Sequence, residues 1–385
     1  MRIGILHSHF TILVGVYKVT IDLANSLSNK GHEVIIYTQK YQDLSYHPLN
    51  SDIKLFEIGY FLPKSPLYWL NLRYVIKKYL KLLNKQKFDV IITGTFPENY
   101  VSVCYEKTDF KLYYCQEPYR FFHDKEFLKK NPLKIQTTFK FLKPLYKNLD
   151  IIGGKYQDKI ITNGISSQKR ILKAYSRKSD IVFPGVRLDV FKPLDMNYIS
   201  RKFGLKSNKI LFCLGYSHES KGMTELLNIF KLIQEKNPDC YLIIGGKIST
   251  SNMITFKTIV KKLLINEKFI IFTGFISEKE LPYFYSSSSI LLYTSIDEAF
   301  GLPPIESMAC ETPVIAFSGG PSSTISNNKT GYLIKNKNIL EFSEKVNYLL
   351  NNPQIANEMG KEGLKSVKEK FSWKITMNKI DKIIN

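Results

Sequence analysis

The feature that most constrains the fold is an alternation of strand-like and helix-like segments that occurs twice along the chain. In the first half, helix-like stretches follow short apolar runs that read RIGILHS, EVIIYTQ, DVIITG, KLYYCQ and KIITNG. In the second half the pattern returns with KILFCLG, CYLIIGG, FIIFTGF, ILLYTS, PVIAF and GYLI. Such alternation is typical of parallel sheets covered by helices on both faces. The sequence therefore predicts an α/β fold.

A break between the two series divides the chain. Pro184-Gly185 and Lys192-Pro193 interrupt a segment of weak periodicity, as a linker would. A chain of 385 residues is also too long for a single compact core and suits two domains. We expect two Rossmann-like domains that face each other across a cleft, the first spanning residues 1–183 and the second residues 184–370. Ligands of such sheets bind at the carboxyl ends of the strands.

Charge and composition narrow the classes of partner. The net charge is +21, of which +14 falls on residues 1–183. Such a charge favours lipid headgroups, phosphorylated substrates or nucleic acid, and no nucleic-acid reader motif supports the last of these. The five cysteines are scattered without zinc spacing, which indicates reduced thiols in a cytosolic protein. No run reaches the ~18 apolar residues of a membrane span. We expect a cytoplasmic protein, with peripheral attachment to the inner face of the cell membrane as a hypothesis.

The strongest chemical signal is the segment Asp297 to Phe317, which reads DEAFGLPPIESMACETPVIAF. Glu298 and Glu306 lie eight positions apart and flank a glycine, Gly301, and two prolines. Glycine lets the backbone approach a ligand closely, and proline suits the first turn of a helix. The free N–H groups of a helix start bind anions. The segment can therefore hold a diphosphate between two hydroxyl-rich sugars.

This segment resembles the EX7E motif of the family-4 retaining glycosyltransferases, which have the GT-B fold. The resemblance extends over nearly the whole chain, through NSLSNKGHEVIIYT, KIITNGISSQKRILKAY and the stretch from FTGFISEKELPYFY to NKTGYLI. FSWKI resembles the start of the last helix of that family. The resemblance implies that a C-terminal helix at about 371–385 packs back on the first domain. It also implies a nucleotide-sugar donor as co-substrate.

The resemblance implies a role for each matching position. Glu298 would bind hydroxyls of the transferred sugar, and Glu306 would bind both ribose hydroxyls. The Lys221 ammonium would stabilise the charge of the leaving diphosphate, so Glu298 and Lys221 are the candidate catalytic residues. The other candidates contribute mainly backbone: Phe300, Gly301 and Leu302 at the sugar, Gly274, Phe275 and Ile276 at the base, and Gly15 at the diphosphate from the first domain.

Three positions depart from the family pattern. Tyr216 stands where the family supplies an arginine to the diphosphate, and a tyrosine can donate a hydrogen bond but carries no positive charge. Lys18 or Lys247 could substitute for that arginine. Ser323 stands where a glutamate is common. Gln116 replaces a histidine near the sugar; it can bind a hydroxyl but cannot exchange a proton near neutral pH. His7 is interpreted as structural.

The chemistry implied is hexosyl transfer with retention of anomeric configuration by front-face attack. None of the 14 aspartates lies two positions from another, so a DxD motif is absent and no metal or other cofactor is expected. The segment YYCQEPYR resembles mannosyltransferases that extend lipid-linked oligosaccharides, which favours mannose, but UDP and GDP donors stay open. The alternatives are a GT-B nucleotide-sugar epimerase and a catalytically weakened transferase homologue.

The acceptor side offers one further hypothesis. Residues 65–88 contain no acidic side chain, and their cationic residues repeat every four positions at Arg73, Lys77, Lys81 and Lys85. With Trp69 and neighbouring apolar residues, they could form a basic amphipathic helix on an anionic membrane. An ordinary domain helix with a solvated lysine face explains the same pattern. The hypothesis of a membrane-bound helix predicts a lipid-linked or oligosaccharide acceptor near a membrane.

Overall fold

The computed structural model describes residues 1–11, 15–42, 47–59, 66–215, 221–295, 297–335 and 337–385. The chain divides into two compact units. The first comprises Met1–Pro184 and Thr376–Asn385, and the second comprises Gly185–Ile375.

The first unit is built on a parallel sheet of seven strands in the order β3-β2-β1-β4-β5-β6-β7. Its elements in chain order are β1 (Arg2–Phe10), α1 (Gly15–Asn29), β2 (Glu33–Tyr41), β3 (Lys54–Glu57), α2 (Pro66–Leu70), α3 (Leu72–Leu83), β4 (Phe88–Thr93), α4 (Glu98–Cys104), β5 (Thr108–Tyr114), α5 (Arg120–His123), α6 (Lys125–Lys129), α7 (Leu133–Lys155), β6 (Lys159–Thr162), α8 (Ile165–Tyr175) and β7 (Asp180–Ile181).

The second unit is built on a parallel sheet of six strands in the order β10-β9-β8-β11-β12-β13. Its elements are α9 (Tyr198–Phe203), β8 (Ile210–Leu214), α10 (Met223–Lys236), β9 (Tyr241–Gly245), α11 (Thr250–Lys262), β10 (Ile270–Gly274), α12 (Leu281–Ser286), β11 (Ile290–Tyr293), α13 (Leu302–Ala309), β12 (Val314–Phe317), β13 (Gly331–Ile334), α14 (Ile339–Asn351) and α15 (Pro353–Lys370).

Both sheets confirm the predicted α/β class. Their central strands are almost continuously buried, as strands covered on both faces must be. In β1, for instance, Ile3 and Leu6 are completely buried, and β11 is buried along its whole length. The apolar runs that the sequence displays are therefore the hydrophobic cores of two separate sheets.

The last helix, α16 (Trp373–Ile384), begins in the second unit and ends in the first. Within the first unit, the Thr376 hydroxyl donates to the Phe183 carbonyl at 2.8 Å, and Asp381 pairs with Lys30. The Lys379 ammonium lies 5.8 Å from the centre of the Phe183 ring. These contacts attach the C-terminus to the first unit.

The predicted membrane contact of Trp69 is wrong. Trp69 is only 4% exposed and packs against the rings of Phe122 and Phe139, with centroids 6.0 and 5.4 Å apart. The apolar face of α3 lies in the same core. The cationic side chains of this segment are exposed: Arg73, Lys77 and Lys81 on α3 and Lys85 just after it. Amphipathicity here reflects packing inside the protein, which the sequence pattern does not separate from membrane contact.

None of the helices in the described ranges is long and apolar enough to cross a lipid bilayer.

Close packing of α15 on the end of α13 gives a test of the second unit. A Cβ on Gly360 would overlap the Glu311 carbonyl oxygen, whereas a Cβ on Gly363 would lie 3.0 Å from the Met308 side chain. We expect Gly360→Ala to lower the free energy of unfolding by about 1–3 kcal/mol, because backbone cannot move aside as a side chain can.

Gly363→Ala is the matched control, since both substitutions gain about 1 kcal/mol of helix propensity. Urea unfolding measures the difference. Equal stabilities for the two variants would contradict this packing.

Candidate functional site

The candidate site lies at the carboxyl ends of the strands of the second sheet. The strand order runs β10-β9-β8 in one direction and β11-β12-β13 in the other, so it reverses between β8 and β11. Open parallel sheets bind ligands at such a reversal, because the loops that follow the two strands diverge there. Lys221 follows β8 in the chain and Glu298 follows β11.

Glu298 and Lys221 form a direct ion pair. Both side chains are partly exposed, and burial lowers the pKa of the Lys221 ammonium from its usual value. The two candidate catalytic residues are thus together, although 77 positions separate them. The pair places a cation and a carboxylate at one point of the sheet edge.

Thr294, at the end of β11, holds the lysine segment in place. Its hydroxyl lies 3.1 Å from the Lys221 carbonyl oxygen and 3.0 Å from the Gly222 carbonyl oxygen. Gly222 has φ +77°, and a Cβ there would overlap the Thr294 carbonyl. Only glycine meets both conditions without strain. The loop after β8 is therefore fastened to the strand that leads to Glu298.

Gly301 shapes the turn into α13. It has φ +88°, and a Cβ there would lie 2.9 Å from the Tyr293 hydroxyl. Prolines follow in the first turn of the helix, as the sequence predicts. The Phe300 ring is buried and lies 6.2 Å from the ring of Phe371, so Phe300 has only backbone to offer a ligand. Leu302, half-buried, begins the helix.

Glu306 is a buried carboxylate on α13. It is 4% exposed and accepts a hydrogen bond from the Tyr285 hydroxyl at 2.9 Å. Burial and the nearby Glu306 raise the pKa of Tyr285 well above its usual value, so the phenol stays a donor. A buried carboxylate needs such donors, because an unpaired one costs several kcal/mol. The orientation of Glu306 is therefore fixed by α12 as well as by its own helix.

The predicted base-binding residues lie at the end of β10. Gly274 has φ +69°, and its carbonyl accepts from the Gly246 N–H at 2.7 Å. Phe275 is half exposed, Ile276 is buried, and the Lys247 ammonium lies 5.9 Å from the centre of the Phe275 ring. Lys247, a predicted substitute for the missing arginine, is thus beside the predicted base site.

The remaining predicted residues belong to other segments of the chain. Tyr216 falls outside the described residues. Gly15 is the exposed first residue of α1, with Lys18 one turn further on, and Gln116 is half-buried after β5. Ser323 ends a short 3-10 helix after β12, in which Gly320 packs against the backbone of Glu298. The roles assigned to these residues stay predictions.

His7 has the buried position that a structural residue would have. It is completely buried on β1, and neither ring nitrogen has a hydrogen-bond partner in the described part of the chain. Burial, reinforced by His9, lowers the pKa of His7 to about 3. The imidazole is therefore uncharged at neutral pH.

Sequence reasoning missed Glu98, at the start of α4. This carboxylate is completely buried and accepts from the Ser8 hydroxyl and the Gln39 amide at 2.8 Å and from the Tyr79 hydroxyl at 2.9 Å. Burial raises its pKa despite these donors. No motif marks it, because its donors come from three separate elements of the first unit.

Within the described ranges, no group of three or more His, Cys, Asp or Glu side chains is placed to hold a metal ion.

Two family models of known proteins together match most of the chain. Residues 14–190 match the model of Glycosyltransferase Family 4, and residues 195–366 match the model of Glycosyl transferases group 1. The chain is 22% identical to the alpha-1,3/1,6-mannosyltransferase ALG2 of Dictyostelium discoideum over 422 aligned positions, which cover 100% of this chain and 98% of that protein.

It is 26% identical to the capsular polysaccharide biosynthesis glycosyltransferase CapM of Staphylococcus aureus over 237 positions, which cover 61% of this chain but only 60% of CapM. The solved sucrose-phosphate synthase of Thermosynechococcus elongatus superposes with a TM-score of 0.79 at 18% identity, covering 99% of this chain and 98% of that one. The fold is GT-B, and the chain belongs to the glycosyltransferases of group 1 and family 4.

Proposed function

We propose that this glycosyltransferase moves a hexose, with mannose favoured, from a UDP- or GDP-sugar to a lipid-linked or glycan acceptor at the cytoplasmic face of the cell membrane. The observation that carries the proposal is the Lys221–Glu298 pair at the strand ends. Transfer needs a cation for the leaving diphosphate and a hydrogen-bond acceptor for the sugar, and this pair supplies both. The similarity of the chain to ALG2, a mannosyltransferase, supports mannose as the transferred sugar.

In the proposed reaction the Lys221 ammonium exchanges its Glu298 partner for the diphosphate of the donor. The dipole of α13 adds partial positive charge at the same place, with N–H groups from Gly301 and Leu302, since Pro303 and Pro304 have none. Glu298, released from the lysine, accepts hydrogen bonds from hydroxyls of the sugar. Glu306 accepts hydrogen bonds from the ribose hydroxyls. Each of these groups then either stabilises charge or fixes the position of the donor around the bond that breaks.

The proposed transfer retains the anomeric configuration. The bond between the anomeric carbon and the diphosphate oxygen breaks, and the acceptor oxygen bonds to the same face of the sugar. The acceptor's hydroxyl proton passes to the leaving phosphate oxygen. We propose that no metal takes part, because Lys221 and the helix start supply the positive charge at the leaving group.

Replacing the carboxylate tests the proposed role of Glu298. We expect Glu298→Gln to lower kcat about 100-fold, as loss of one preorganised charged contact does. The melting temperature should barely change, because a partly exposed ion pair adds little stability. Nucleotide release from UDP- and GDP-sugars, with lipid-linked and oligosaccharide acceptors, measures the rate.

Glu280→Gln is the matched control, because Glu280 forms an ion pair of similar exposure with Lys202 in the same unit. Full transfer by Glu298→Gln, or an equal loss in Glu280→Gln, would contradict the assignment.

Nucleotide binding tests Glu306 separately. Glu306→Gln keeps an oxygen that accepts from Tyr285 but loses the negative charge. We expect the affinity for UDP or GDP to fall about tenfold, because a hydrogen bond to a charged group contributes roughly 1.5–3 kcal/mol. Calorimetric titration with each nucleotide measures the loss and identifies the base.

The control is Glu369→Gln, an exposed carboxylate at the end of α15. An unchanged affinity in Glu306→Gln would show that the ribose is bound elsewhere.

The membrane part of the proposal rests on exposed apolar side chains of α2, α3 and α7 and no longer on Trp69. Helices α2 and α7 pack together through Trp69, whose carbonyl accepts from the Tyr146 hydroxyl at 2.5 Å. On the outside of α2, α3 and α7, large apolar side chains are exposed beside lysines and arginines: Leu70, Tyr74, Leu133, Phe141 and Leu145. Apolar side chains within a cationic surface suit an anionic bilayer.

Vesicle flotation tests this surface. The wild-type protein should float with phosphatidylglycerol vesicles at low salt and not with phosphatidylcholine vesicles. Phe141→Ser with Leu145→Ser should abolish flotation, because it removes apolar area from the contact. The control pair, Ile254→Ser with Leu340→Ser, removes equally exposed side chains from the second unit and should float normally. Failure of the wild-type protein to float would contradict membrane attachment.

A further inference from the structure

A basic pocket of about 640 Å³ lies in the first unit, and none of the residues that line it is a donor-site candidate. Its walls come from the segment after β5, from α7 and from α8. Six Lys and Arg side chains and three carboxylates line it, which leaves an excess charge of +3. Its volume falls within the range of small-molecule sites.

Each of the three carboxylates of the pocket already forms an ion pair. Glu117 pairs with Arg170 and lies 3.5 Å from the Arg120 side chain, and Asp124 pairs with Arg120 at 2.8 Å. The third, Glu126, pairs with Lys129 outside the pocket at 2.9 Å. These pairs hold the two arginines in the wall. They leave no carboxylate of the pocket for its lysines.

Four lysines carry the excess charge: Lys125, Lys143, Lys147 and Lys173. None forms an ion pair with any carboxylate in the described ranges. Lys143 and Lys147 are one helical turn apart on α7, and both are half-buried. Burial lowers the pKa of Lys143, and the charges of Lys147 and Lys125 lower it further. Like charges at this spacing repel each other, so the fold maintains an arrangement that is unfavourable without a counter-charge.

The pocket also has a rigid polar wall. The His123 ring lies 2.7 Å from Asp150, which is completely buried. Asp150 in turn accepts from the Asn99 amide at 2.9 Å and from the Tyr175 hydroxyl at 3.2 Å. Such a network fixes the orientation of the imidazole that faces the pocket. A wall that served only to pack against its neighbours would not need a buried carboxylate behind this imidazole.

We infer that the basic pocket, formed around Lys125, Lys143, Lys147, Lys173, Arg170 and His123, binds a phosphate-bearing group. Several ammonium groups around one cavity match the charge and the many acceptor oxygens of a phosphate, and an aliphatic or neutral ligand would leave them uncompensated. The volume leaves space for more than the phosphate, such as a sugar or a glycerol moiety. This inference does not depend on the donor site, since every residue of the pocket lies in the first unit.

Lysine footprinting tests the pocket residue by residue. Acylation of each lysine by an N-hydroxysuccinimide ester is followed by mass spectrometry, with and without inorganic pyrophosphate or glucose 6-phosphate. Vesicles of phosphatidylglycerol and of phosphatidylcholine form a second arm. We expect protection of Lys143 and Lys147 but not of Lys257 and Lys261, which are exposed one turn apart on α11. Protection by the soluble compounds assigns the pocket to a soluble phosphate, and protection by phosphatidylglycerol vesicles alone assigns it to a lipid headgroup.

Titration of variants completes the test. Lys143→Gln with Lys147→Gln should weaken binding of the protecting phosphate about tenfold or more, since two charged contacts are lost. Lys257→Gln with Lys261→Gln removes the same charge at the same helical spacing and should bind as the wild type does. The pocket variant should melt no lower than the wild type, because it loses a repulsion. UDP or GDP binding in the same variant reports separately on the donor site.

The inference is overturned if no probe protects Lys143 and Lys147, or if Lys257 and Lys261 are protected to the same extent. Equal loss of affinity in the two double variants would also overturn it, since that would indicate general charge attraction. The single variant Lys143→Gln repeats the measurement should the double variant fail to fold.

Discussion

The candidate site depends on one constraint, the parallel pairing of β8 with β11. That pairing brings together two strands that are distant in the chain and places the ends of both at the same edge of the sheet. The loops that follow them must then leave side by side, and this is how Lys221 reaches Glu298. Thr294 strengthens the arrangement, because it belongs to one loop and lies within hydrogen-bond distance of two carbonyls in the other.

Buried carboxylates in both units are stabilised in the same way. Glu306, Glu98 and Asp150 each lie out of water and each accepts hydrogen bonds from tyrosine or amide donors. A buried charge without such donors would be energetically costly. Each network therefore supplies the hydrogen bonds that its carboxylate needs and also fixes the position of that carboxylate. Glu306 differs from the other two in lying on the helix that follows β11, beside the reversal of strand order in the second sheet. Its location, rather than its burial, makes it a candidate for ligand binding.

The sequence predicted the fold well and the site only in part. Apolar runs and turn residues report on local structure, so the strands and the turn before α13 could be predicted. The assignment of Lys221 and Glu298 to one site came from resemblance, since their proximity depends on strand order, which no local pattern contains. Trp69 was misplaced because an apolar helix face looks the same whether it meets a core or a bilayer. Glu98 was missed because its donors are scattered over distant segments.

Cationic side chains of the first half lie in two different environments. Arg73, Lys77 and Lys81 of α3 lie on a solvated face, where water screens them and their cost is small. Lys143 and Lys147 of α7 are half-buried beside one another, where screening is weaker and the repulsion is larger. A neutral residue at either position would relieve this repulsion without loss of solubility, which the exposed lysines already provide. The half-buried pair is therefore better explained by an anion that it binds.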